Sequence, residues 1–158
     1  MNKGKPLKRH AAFYVLSHGH HDGLILCWKI RSGLSKKINP MRIKSYTNWF
    51  YSTQLLPHFE MEEKVIFPLL DADHELVKKA LADHRRLRRL FEDKEDVNRS
   101  LSRIEEELED HIRFEERVLF EEIQRSVSMH DLENLASNPV LQSNATRCDW
   151  EDEFWKER

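Results

Sequence analysis

Glycine and proline are scarce in this chain of 158 residues, at four and five. So few backbone breakers argue against the turn-rich strands of a sandwich or barrel and suit long helices. Cysteine is scarcer still. Cys27 and Cys148 lie far apart and form no Cys-x-x-Cys pair, a usage that fits a reducing compartment, and the expected location is the cytoplasm. No apolar run approaches the ~18 residues of a membrane span. Neither sign of charge dominates: 26 Lys and Arg stand against 28 Asp and Glu, a net of -2, which gives no footing for a nucleic-acid surface or an acidic tail. Met1 to Arg9 is basic, but no apolar stretch follows it, so it does not read as a secretory signal. The chain also lacks a Gly-rich phosphate loop, a Gly-x-Ser-x-Gly elbow and the His-Glu-x-x-His of zinc proteases.

What is present is a chain 39% apolar and 34% charged, long enough to bury one core. Residues 1–16 read as an irregular basic arm. Ser17 is a candidate cap for a helix to about Lys36, through Leu24, Ile25, Trp28 and Leu34. Asn39-Pro40 is a cap followed by a first-turn proline and opens a long helix from Met41 to Leu70. Pro57 lies inside it and is expected to kink or divide it, because it removes a backbone donor. Two further helices are expected over about 74–92 and 97–126, and a short one over 129–136. Residues 137–158 read as a tail whose Trp150, Phe154 and Trp155 either pack back on the bundle or form a partner-docking segment. The short links imply antiparallel neighbours, so the expected fold is all-α: an up-down-up-down four-helix bundle over 17–136.

Nine histidines are many for this length, and several interrupt apolar stripes. In the last long helix Leu101, Ile104, Leu108, His111, Glu115, Val118 and Glu122 follow spacings of three or four, one helical face. In the second, Tyr51, Leu55, His58, Glu62, Val65 and Leu69 do the same. His84 sits mid-stripe between Leu81 and Leu87. On the first helix His21 shares a face with Leu24, Ile25 and Trp28, while His20 shares one with Leu24 and Cys27. Counting turns in antiparallel helices brings His58, Glu62, His84, His111 and Glu115 to nearly one level. Burying imidazoles and carboxylates without partners costs several kcal/mol, roughly, so something must compensate. Mixed nitrogen and oxygen donors suit iron, manganese or zinc, and six of them suit two ions better than the ~4 ligands of one zinc. The Glu-x-x-His of ferritin-like di-iron bundles is absent.

The order histidine, His-x-x-x-Glu, histidine, His-x-x-x-Glu resembles the hemerythrin-like (HHE cation-binding) family. The segments carrying the resemblance are His20-His21-Asp22-Gly23-Leu24, His58 to Pro68, Asp83 to Leu87 and His111 to Phe120. The resemblance implies a non-haem centre of two iron ions joined by an oxo or hydroxo bridge and two carboxylates. His21, His58, His84 and His111 would be the imidazole ligands, and Glu62 and Glu115 the carboxylates. Hemerythrins of the oxygen-carrying type have a further histidine one turn before the third-helix ligand, where this chain has Ala80. They place the last carboxylate where Glu116 stands, whereas the stripe favours Glu115. Glu63 and Glu116 are candidate partners for ligand imidazoles, but the favoured reading of both is a solvated helix surface. The implied function is binding or sensing of oxygen or another small diatomic ligand. The alternatives are a di-iron enzyme acting on peroxide or nitric oxide, and an iron-responsive regulatory module with the aromatic tail as its protein-docking surface.

Overall fold

A computed structural model describes residues 8–142 and 149–158; residues 1–7 of the expected arm, and Cys148, lie outside them. The described chain is an all-α bundle of four helical rods with no strand among the described residues. The first rod is α1 (Tyr14–Ser35), entered through a 3-10 turn (Ala11–Phe13). The second, residues 40–69, joins α2 (Pro40–Phe50), a π turn (Tyr51–Leu55), α3 (Leu56–Met61), a second π turn (Glu62–Ile66) and a 3-10 turn (Phe67–Leu69). The third is α4 (Glu75–Glu92). The fourth, residues 97–126, joins α5 (Val97–Phe114), a π turn (Glu115–Leu119) and α6 (Phe120–Ser126). Then come α7 (Met129–Ala136), α8 (Pro139–Gln142) and a 3-10 turn (Phe154–Lys156). No helix among the described residues is long and apolar enough to cross a membrane.

Side-chain caps fix the rod starts. Asn39 accepts from the Met41 amide ahead of Pro40, His74 from Leu76, Asp96 from Arg99 and Ser128 from Asp131. Each satisfies a backbone donor that the first turn leaves without a partner. Contacts across the bundle set the rod directions. A Cβ on Gly33, late in α1, would sit 2.8 Å from Ile43 near the start of the second rod, and one on Gly19, early in α1, 2.8 Å from His58 near its end. These two rods therefore run antiparallel, with glycine permitting the close approach. Tyr51 stacks on Phe91 while His84 faces Glu62, which reverses α4 against the second rod. His111 meets Asp83 while Ser100 meets Asp93, which reverses α5 against α4.

The apolar core falls into two blocks. One gathers Leu26, Ile30, Phe50, Phe91, Leu101, Ile104 and Leu108, and the other Phe13, Leu16, Ile66, Phe67, Leu119, Phe120 and Ile123. Between them lies a polar layer.

Three features refine the expected layout. α1 starts at Tyr14 rather than Ser17, and Ala12, Phe13 and Leu16, placed in the arm by the sequence reading, are core residues; the capped 3-10 turn before α1 breaks the helical period there. At Pro57 the second rod continues without a loop, as α3. The π turn just before it, closed by the Leu56 amide on the Tyr51 carbonyl, widens the helix where proline would otherwise collide with the preceding turn. Of the two readings of the tail, packing back on the bundle is the one the structure has: Phe154 and Trp155 are buried on it, Phe154 against Gly33.

Candidate metal centre

The polar layer is built by all four rods. His20 comes from α1, His58 and Glu62 from the second rod, His84 from α4, and His111 and Glu115 from the fourth. Their donor atoms form two groups of four, each within 4.8 Å: His20, His58, Glu62, Glu115 and Glu62, His84, His111, Glu115. Both glutamates belong to both groups. Glu62, His84 and Glu115 have no solvent exposure, and His20 and His111 almost none.

Five of the six residues predicted from the stripes meet in this layer; His21 does not. It is exposed on α1, and His20 takes the inward place. The expected face of α1 was wrong by about one residue. Ile25 and Trp28, used to define it, are 37% and 53% exposed. The buried face is Leu16, His20, Gly23, Cys27 and Ile30, spaced four, three, four, three. Gly23 has no side chain to register in a hydrophobicity pattern, and Leu16 fell in the expected arm, so only Leu24 and Cys27 marked the face of His20. Of the two alternatives on the fourth rod, Glu115 enters the layer and Glu116 turns outward to His20.

Two of the three π turns begin at the layer's carboxylates. The Phe67 amide donates to the Glu62 carbonyl, and the Phe120 amide to the Glu115 carbonyl. Each π turn adds one residue to the rod, and π turns of this kind recur at functional sites. Beyond Glu115 the inward residues are accordingly Leu119 and Ile123, not the expected Val118 and Glu122; beyond Glu62 they are Ile66 and Leu70, not Val65 and Leu69.

An outer set of carboxylates fixes the rings. His84 Nδ1 donates to Glu63 at 2.8 Å, His20 Nδ1 to Glu116 at 2.9 Å, and His111 Nδ1 to Asp83 at 3.0 Å. Glu63 is held in turn by Arg88 and Asp83 by Lys79. Glu63 and Glu116 thus do more than sit in solvent as helix-surface residues. Asp83 was not anticipated: it reaches a histidine on another rod, and local spacing carries no signal of that. His58 is placed differently, its Nδ1 lying where a side chain on residue 19 would be. Aromatic rings line the layer. Phe59 stacks on His84 at 4.0 Å between centroids, and Phe120 on His20 at 5.4 Å.

With the Nδ1 atoms of His20, His84 and His111 donating outward, their Nε2 atoms face inward, as does that of His58. They meet carboxylate oxygen: His111 to Glu115 at 2.9 Å, His84 to Glu62 at 3.2 Å, His58 to Glu62 at 3.5 Å, and His20 to Glu115 at 3.2 Å. His58 Nε2, His84 Nε2, His111 Nε2, both Glu62 oxygens and Glu115 Oε2 are buried without a hydrogen-bond partner. So many orphaned acceptors at one point cannot stand uncompensated. Two compensations exist. Protons are the first. Burial drives His20 and His111 down, but the carboxylates around them win, holding His20 well above its ordinary value and His111 at about 9. Glu62 moves the opposite way: burial favours its neutral form, yet His58, His20 and His84 hold it well below the carboxylate range. A metal is the second compensation. Ligands roughly 2.1 Å from one ion at right angles lie about 3 Å apart, the spacing seen between these nitrogens and oxygens. The donor set therefore fits metal binding, with Glu62 and Glu115 common to both four-residue groups.

Neither the curated proteins nor the solved structures searched contain a significant match to this chain. The hemerythrin HHE cation-binding domain matches residues 15–123, a span that holds every residue of the polar layer. With that match over most of its length, and histidines and glutamates converging from four rods, the chain belongs to the hemerythrin HHE cation-binding domain family.

Proposed function

We propose that this chain is a non-haem iron protein, holding two iron ions, that binds or senses oxygen or another small diatomic ligand. The observation that carries this reading is the convergence of buried, unpartnered nitrogen and oxygen atoms inside a domain of a cation-binding family. Four imidazoles with two carboxylates form a donor set suited to iron. Glu62 turns Oε2 toward His20 and His58 and Oε1 toward His84, as a carboxylate spanning two ions would. When bound, iron supplies a redox-active centre able to take a diatomic ligand.

The chain's own residues do the rest. Glu116, Glu63 and Asp83 keep the Nδ1 protons of His20, His84 and His111 on the outer side, so Nε2 is the donor. Phe59, Phe67 and Phe120 pack on the imidazoles and exclude water. Ala80, one turn before His84, is fully buried and brings no donor atom, so α4 supplies one imidazole to the layer and leaves a coordination position for a small ligand to take. The test is to load the protein anaerobically with Fe(II), admit oxygen and follow the visible spectrum. An absorption band that appears with oxygen and fades when oxygen is withdrawn supports a carrier or sensor. An irreversible change with turnover of peroxide or nitric oxide contradicts it and favours an enzyme.

A further inference from the structure

Away from the polar layer, and sharing no residue with it, a cavity of about 390 Å³ opens between α1, the second rod and the tail. Its walls include Tyr46, Trp49, Trp150 and Trp155, so three of the chain's four tryptophans face one space. The rings assemble in one patch: Tyr46 lies 5.1 Å from Trp155 and 5.7 Å from Trp150, and Trp150 lies 5.4 Å from Trp49, between centroids. Asp22, Asp149 and Glu153 also line the cavity, with Lys29 as the one cation among the described lining residues.

Lys29 already behaves as a guest. Its ammonium sits 3.9 Å from the Trp155 ring centre and 4.9 Å from that of Tyr46, and it donates to the Tyr46 hydroxyl at 3.1 Å. Burial lowers its pKa in spite of the carboxylates nearby, as expected for a strongly hydrated primary ammonium pressed against rings. A cation whose charge is spread under methyl groups gives up less hydration and gains the same attraction to the ring faces. Trp150 Nε1 is buried without an acceptor among the described residues, so a guest bearing an oxygen has a donor to meet.

We propose that this aromatic cavity binds a small alkylated ammonium compound, and that Lys29 is the internal cation the guest displaces. Three carboxylates stand on the described lining against Lys29, and although Lys156 pairs with Glu153 from outside it, the balance favours positive charge. The ring faces supply an attraction that a neutral molecule of equal shape does not receive. The flexible stem of Lys29 lets its head withdraw to solvent.

Choline and its neutral isostere 3,3-dimethylbutanol separate charge from shape. Calorimetric titration of the full chain with each, alongside indole N–H shifts in NMR spectra, reads binding and its place. Choline should bind, moving the resonances of Trp49, Trp150 and Trp155 but not Trp28, and the isostere should bind roughly tenfold more weakly. Lys29→Met should tighten choline binding by vacating the seat. Asp149→Asn, a change at an exposed residue that leaves the fold untouched, should weaken it. Equal affinity for the isostere, absence of choline binding, or a Lys29→Met protein that binds choline no better would each overturn the proposal.

Discussion

His20 and His21 are neighbours in sequence but point to opposite environments, one into a nest of carboxylates and one into water. Substituting each in turn is therefore a sharp comparison. His20→Ala removes a donor from one of the two four-residue groups and leaves Glu115 and Glu116 facing each other without their imidazole. It should lower metal content per chain, read by elemental analysis, whereas His21→Ala should keep the wild-type content. The outer carboxylates have their own consequence. Asp83→Asn leaves His111 in place but no longer commits its Nδ1 proton to a charged acceptor. Loss of such a partner typically costs about 10–100-fold in metal affinity. Competition with a chelator measures this, and unchanged affinity would mean that Asp83 only decorates the surface of the site. The near-miss at His21 shows why single residues are the least legible level of a sequence. Phase was taken from large apolar side chains, but α1 packs through Gly19, Gly23 and Gly33, whose worth lies in what they leave out. Asp83 was illegible for another reason: its partner is on a different rod.

The rods themselves were readable, because periodic stripes and caps are local signals. Asn39-Pro40, His74 and the turn at 93–96 mark rod boundaries where the structure has them. The π turns were not readable. A stripe extended at ordinary helical spacing runs past Glu115 to Val118, yet Val118 is 44% exposed and Leu119 is buried, since the turn carries one extra residue. Deleting Val118 should convert this turn to regular α-helix while keeping Leu119 and Ile123 on the inner face. Circular dichroism should then show an intact bundle, but the carbonyl and side chain of Glu115 would be re-aimed, and metal uptake should fall. A deletion variant that loads metal normally would show that the widened turn does not serve the site.

The whole molecule balances protons against metal in its core. In the metal-free protein His111 is held up at about 9 from an ordinary 6.5, so its contribution to stability is full below 6.5 and is lost as pH rises through about 9. His20 and His84 are raised too and act in the same direction. Glu62 is held well below its ordinary 4.5, so its contribution is present above 4.5 and is lost as pH falls. The chelated protein should thus be most stable between these two ordinary values and weaken toward alkaline pH, as denaturant titrations at a series of pH values would reveal. Metal loading should show the opposite trend, strengthening as pH rises and releasing protons, because each ion replaces protons on the same nitrogens. Bundle class and a metal-type core were legible at this scale from stripes interrupted at one level. For the tail the sequence left packing and docking both open, since burial of Phe154 depends on a gap over Gly33 that only the assembled bundle creates. The most direct test of the account is the iron bound per chain after anaerobic loading with Fe(II) and removal of excess, for wild type beside Glu62→Gln. Two donor groups sharing Glu62 and Glu115 predict about two irons in the wild type and a marked loss in the variant. A folded wild-type protein that takes up no iron would contradict the account and leave its histidines and glutamates as a proton-bridged polar core.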